Sequence, residues 1–283
     1  MKDLILHSEQ LTVHVNAFGA ELKGLEKDGI EYLYDGDPAY YGRTAPTLFP
    51  ITGRFLSDTY YDGDQAYTMT LNGFAMNRNF EVTARDDHSV TFTLVSDERT
   101  LVCYPYPFRL DVTYAAEGNR LAVRYRVENT GDRPMPWAVG AHTAYRWPLL
   151  PGEKPEDYRL LFEKEEDLTS FNPFNWKCPH FVQGRERPLS HDLFANFTRS
   201  MTDIRSEWIE FSNPANGHAV RIHRAEMPYL AMWTLPDENA RLLCLEPNIS
   251  VHAGAATTMA DRQGCRVLAP GKTDETGFAL EVR

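Results

Sequence analysis

Apolar and polar residues alternate along this chain with a period of two wherever the pattern is clear, the spacing of a strand with one buried face. In LDVTYAAEGNRLAVRYRVENTG, Leu110, Val112 and Tyr114 point one way, and beyond the turn-forming Glu117-Gly118-Asn119 so do Leu121, Val123, Tyr125 and Val127. Two alternating runs joined by so short a Gly-containing stretch predict a hairpin. Further short strands are predicted in SVTFTLVS, HAVRIHRA, YLAMWTL, RLLCLEP and the final GFALEVR, separated by Gly, Pro, Asn and Asp clusters. No amphipathic helical stretch is long enough to serve as a repeated crossover, which argues against a doubly wound α/β sheet and for an antiparallel sandwich.

The segment from Leu149 to Arg187 is richer in Pro, Glu and Lys and is expected to be an excursion of loops inside a single domain, 1–283. A chain of 283 residues with 42% hydrophobic residues can bury a sizeable core as one large all-β domain. MKDLILHSEQ has too short an apolar run for a signal peptide, and no later run approaches the ~20 apolar residues of a membrane span, so a cytoplasmic protein is expected. Cys103, Cys178, Cys244 and Cys265 form no C-x-x-C pair and are expected to be reduced thiols. A net charge of −11 without a Lys/Arg-rich run disfavours nucleic acid as a partner.

Several chemistries lack their motifs: no phosphate loop, no dinucleotide fingerprint and no nucleophile elbow is present. His218 and His223 are five apart in an alternating segment, so as strand residues they face opposite sides of a sheet and cannot share a metal ion. What remains is a set of polar residues in apolar, turn-rich settings: Arg54 in FPITGRF, Asn72 and Arg78 in LNGFAMNRNF, His142 in VGAHTAYRWP, and Glu246 in RLLCLEPNIS. A carboxylate ending the run Leu242-Leu243-Cys244-Leu245 is costly if buried without a partner, and its competing role is a strand-end Glu turned to solvent.

In order and spacing these stretches resemble the aldose 1-epimerase, or galactose mutarotase, superfamily, and in particular its short bacterial branch. APTLFPITGRF is similar to that family's N-P-x-x-G-R region, the stretch from CYPYPFRL to GAHTAY to its Y-P-F strand, hairpin and G-x-H-P-A-F segment, CLEPNIS to its E-P motif, and LAPGKTDETGFALEV to its L-x-P-G-E stretch. The resemblance runs from about Phe18 to the C-terminus. It implies an antiparallel β-supersandwich with a sugar-binding cleft, His142 and Glu246 as acid and base, Arg54 on the sugar hydroxyls, a small-molecule sugar as partner, and no metal or cofactor.

The residue types suit that chemistry. Interconverting α and β anomers needs one group to take the C1 hydroxyl proton, another to protonate the ring oxygen, rotation about C1–C2 in the open aldehyde, and closure with the roles reversed. A carboxylate and an imidazole can each act in both directions. Arg54 offers five fixed donors to hydroxyls, and Tyr145 or Trp233 is a candidate to cover the apolar face of the sugar, with core packing as the competing role for each. The chain departs from the family at Asn72-Gly73-Phe74-Ala75-Met76, where H-G-F-A-R is usual; Asn72 can hydrogen-bond a hydroxyl but cannot carry a proton as His does. Two alternatives follow: a non-catalytic sugar-binding or sensing protein, and a hexose-6-phosphate 1-epimerase using Arg43, Arg54, Arg78 and Arg146.

Overall fold

The computed structural model describes residues 3–172, 177–195, 198–224, 226–237, 239–251 and 256–283, and these are nearly all β. Leu110 to Val127 forms the predicted hairpin: Phe108–Glu117 pairs antiparallel with Arg120–Asn129, with Val112 opposite Tyr125 and Tyr114 opposite Val123. The two-residue turn puts Gly118 at φ +54, a left-handed value that costs glycine nothing. The other predicted strands form as Ser89–Val95, Ala219–His223, Tyr229–Trp233, Leu242–Asn248 and Thr273–Val282.

Among the described residues, fifteen strands join in one antiparallel sheet that begins at Thr47–Leu48 and ends at Glu81–Arg85, and a four-stranded sheet is built from the N-terminal segments between Leu4 and Glu31. A continuous apolar core draws on both sheets, from Leu6, Val13 and Leu25 to Val112, Val123 and Leu280. Inside it the Tyr114 hydroxyl donates to the Ala20 carbonyl at 2.7 Å, tying the hairpin to the smaller sheet. This is the antiparallel all-β architecture expected from the alternation.

The region from Leu149 to Arg187 departs from expectation. Instead of loops it holds two of the longest strands, Arg159–Phe171 and Lys177–Pro188, paired with each other and, through Arg159–Phe162, with Trp208–Ser212. A register shift between Leu161 and Glu166 explains the difference. It interrupts the alternation that exposes a strand to inspection, although Leu160, Phe162 and Leu168 still reach the core. The one described α-helix, Glu98–Cys103, was likewise unexpected; Asp97 caps it by accepting from the Thr100 amide at 2.8 Å.

A hairpin that contributes to the core must matter for stability. Phe162→Ala is expected to cost about 3–5 kcal/mol in urea unfolding, whereas a loss below about 1 kcal/mol would show that this hairpin is peripheral.

Candidate active site

The strand Leu242–Asn248 is buried along its whole length, with neighbours on both sides. Leu243 and Leu245 face the main core, while Leu242 and Cys244 join a smaller cluster with Tyr34, Ala144 and Ala240, against which Tyr40, Tyr41, Trp233 and Leu235 pack. Period-two geometry puts Glu246 on the face of Cys244.

On one side, Gly140 is opposite Asn248 and Thr143 is opposite Leu245. The same register carried through the gap sets His142 opposite Glu246. His142 interrupts its own strand there, donating its amide to the Pro46 carbonyl at 3.3 Å. Gly140 is required at this point, because a Cβ would lie 1.7 Å from Asn248 Oδ1. On the other side, Ala231 and Trp233 are opposite Glu246 and Cys244.

Nε2 of His142 consequently lies 3.4 Å from Glu246 Oε1, with the two side chains 11% and 2% exposed. Nδ1 is 3.1 Å from the Tyr41 hydroxyl, and the Tyr41 ring stacks on the imidazole with centroids 5.0 Å apart. Trp233 stands edge-on to both rings at 5.4 and 6.0 Å. Glu246 Oε2 is buried and meets no hydrogen-bond partner among the described residues. Cys244 adds a thiol to the same place: its sulfur, a ring nitrogen of His142 and an oxygen of Glu246 all lie within 4.8 Å of one another.

Loss of water sets the protonation of the pair. Burial pushes the Glu246 carboxyl up to about 8 and the His142 imidazole down to about 4. It also raises the Tyr41 phenol and the Cys244 thiol. Near neutral pH the pair therefore holds one proton, and burial places it on Glu246 rather than on His142, the reverse of the expected starting arrangement. A carboxyl and a neutral imidazole carry the same number of protons as a carboxylate and an imidazolium, so either form supplies one acid and one base.

The other expected site residues are distributed differently. Trp233 is half-buried beside His142, as expected of a residue that could cover a sugar. Tyr145 is not there: it is fully buried on the opposite face of its strand, 5.9 Å from the Phe211 ring, because three residues along a strand from His142 reverses the side. Arg54 is 57% exposed and pairs with Asp58 at 3.0 Å, and none of its hydrogen bonds reaches the His142–Glu246 pair. Asn72, at φ +63, uses its side-chain oxygen to accept from the Gly53 amide at 2.7 Å while its own amide donates to the Gly53 carbonyl at 2.6 Å. It braces the loop that leads into Arg54.

The four arginines considered for a phosphate each engage other partners. Arg43 engages Glu21 and Asn77, Arg54 engages Asp58, Arg78 engages Asp97, and Arg146 donates to the Leu33 carbonyl. His218 approaches the Tyr32 hydroxyl while His223 contacts Glu281 at 2.8 Å, consistent with the two histidines serving separate surroundings.

Two contributors were not apparent from the sequence. Tyr41 lies in an irregular segment with no periodicity to orient it, the adjoining Tyr40-Tyr41 pair being its only signal. Arg262 is buried, with its guanidinium donating to the carbonyls of Thr52, Arg54 and Val251 and lying 4.6 Å over the Phe55 ring. It fixes the Thr52–Arg54 backbone from a stretch without any strand pattern. No helix among the described residues is long and apolar enough to cross a membrane.

The family model described as aldose 1-epimerase matches residues 3–273. Protein LacX, chromosomal, from Lactococcus lactis subsp. lactis is 27% identical over 294 aligned positions, covering 98% of each chain. A galactose mutarotase-like protein from Lactobacillus casei has a TM-score of 0.93 at 28% identity, covering 99% of this chain and 100% of that one. A galactose 1-epimerase from Lactobacillus acidophilus shares the fold at 15% identity, with a TM-score of 0.74 and coverage of 99% and 94%.

The shifted groups make stability depend on pH in a separable way. Because folding raises the Glu246 value, the folded state keeps a proton that the unfolded chain releases, so stability falls as pH rises toward 8. Because folding lowers the His142 value, its contribution is lost only as pH falls below about 6.5. Between pH 6.5 and 8 Glu246 is the member of the pair that acts, with the exposed His88, raised by its contact with the His7 carbonyl, adding a slope of the same sign; the Glu246 share of the loss in urea unfolding of the wild type should reach up to about 2 kcal/mol. Glu246→Gln should flatten the slope by that share; an unchanged slope would place the responsible group elsewhere.

Proposed function

The chain belongs to the aldose 1-epimerase family, and we propose that it is an isomerase that interconverts the α and β anomers of a hexose through His142 and Glu246. The observation that carries this reading is the buried contact of His142 Nε2 with Glu246 Oε1 at 3.4 Å, beside Tyr41 and Trp233. One partner takes the proton from the C1 hydroxyl as the other delivers a proton to the ring oxygen. Opening leaves the pair with one proton, on the other member, and closure on either face of the aldehyde returns it. The cycle is complete without an external acid or base.

The Tyr41 hydroxyl at Nδ1 holds the imidazole plane, so Nε2 stays directed at Glu246 and the reacting oxygens. Trp233 offers an apolar edge for the face of the sugar ring. The reading places all this in one domain, acting on a free sugar in the cytoplasm.

One observation favours a second reading. Asn72, at the position of the family's additional histidine, spends its oxygen on Gly53, which supports a sugar-binding protein with weakened or no catalysis.

Polarimetry of freshly dissolved α-glucose and α-galactose separates the two. Accelerated decay to the equilibrium rotation is expected, with His142→Ala and Glu246→Gln each lowering the catalysed rate at least ~100-fold. Rates unaltered by both substitutions would refute the assigned roles. Saturable sugar binding in calorimetry without acceleration would establish the second reading.

A further inference from the structure

Cys244 has no part in the proton transfers proposed above, yet it completes a donor set. It is fully buried and shares a strand face with Glu246, and His142 faces them from the neighbouring strand. One sulfur, one imidazole nitrogen and one carboxylate oxygen within 4.8 Å of one another form the combination preferred by borderline-soft divalent ions, and one that magnesium and calcium disfavour. Ligand bonds of about 2.0–2.3 Å put ligand atoms roughly 3–4 Å apart, so the widest separation must close by about an ångström of side-chain rotation.

Three further features fit such an ion. Glu246 Oε2 is a buried oxygen with no hydrogen-bond partner among the described residues. The ring nitrogen of His142 that points away from Glu246 meets the Tyr41 hydroxyl at 3.1 Å, the outer-shell contact that orients a ligating histidine. A thiolate, a carboxylate and a neutral imidazole also balance a doubly charged cation, so the occupied site would bury no net charge.

We propose that His142, Cys244 and Glu246 form a binding site for one thiophilic divalent cation, zinc or cadmium in kind, and that its occupation blocks the acid–base pair. Binding forms one bond to sulfur, one to nitrogen and one to oxygen; the thiol proton and any carboxyl proton pass to buffer, and no oxidation state changes. Three protein ligands leave a fourth position on the partly exposed His142 side. The cation is an inhibitor in this scheme.

Cation binding can be tested without sugar. The full-length chain, stripped with chelator, is titrated with Cd2+ while the ultraviolet sulfur-to-metal charge-transfer absorption is followed. The expected result is saturation at one cation per chain, absence of the band in Cys244→Ala, and at least ~10-fold weaker binding in Glu246→Gln. A variant that keeps Cys244 but carries Cys103→Ser, Cys178→Ser and Cys265→Ser should bind as the wild type does, which guards against a Cys244→Ala chain that fails to fold. A band that survives Cys244→Ala, or disappears in the triple variant, overturns the site.

The inhibitory effect rests on the proposed mutarotation and is read separately. Zinc should abolish catalysed anomer exchange in the wild type, chelator should restore it, and Cys244→Ala should remain active in its presence. Equal zinc sensitivity of the two overturns the inhibitory role. A wild type without mutarotation would refute the functional reading, while the cadmium titration would still decide the cation site.

Discussion

The site depends on a carboxyl group kept out of water in the middle of a sheet. Glu246 is held there because backbone ladders on both sides of Leu242–Asn248 fix its strand, and its side chain, against His142, is 2% exposed. An ionised carboxylate in such a place is expensive, and the group responds by holding its proton to higher pH. The imidazole opposite responds in the contrary sense. A single proton shared by two groups, each able to give or accept it, follows from dehydration of the pair.

Tyr41 and Trp233 wall the imidazole, and the Tyr41 hydroxyl occupies the ring nitrogen that faces away from the carboxyl. Asn72 and Arg262 act at a further remove, clamping Gly53 and the carbonyls of Thr52 and Arg54. This loop is stabilised by backbone-directed hydrogen bonds, and Arg54, the side chain it presents, is left at the surface with Asp58 as its partner.

Much of this was legible in the sequence, and the exceptions have physical causes. The 108–129 hairpin declared itself because one face is buried and the turn has glycine where a left-handed residue is needed. His142 and Glu246 stood out as polar residues embedded in apolar strands. The Arg159–Pro188 hairpin did not, since its register shift breaks the alternation and its outward face carries the charges that suggested loops. Tyr145 was misplaced because a strand's two faces look alike until one residue is anchored to a side. Tyr41 and Arg262 come from irregular segments, where nothing periodic relates position in the chain to position in space.

The register that places His142 opposite Glu246 also governs which changes in chain length this fold can accept. Adding or removing one residue between Gly140 and Thr143, or within Leu242–Glu246, would exchange the two faces of that strand and turn His142 or Glu246 away from its partner. One residue added in the Gly118-Asn119 turn can instead be taken up as a longer loop with both faces intact. Over evolutionary time, insertions and deletions should therefore accumulate in the turns and be purged from these two short stretches, making spacing as strong a mark of descent here as residue identity.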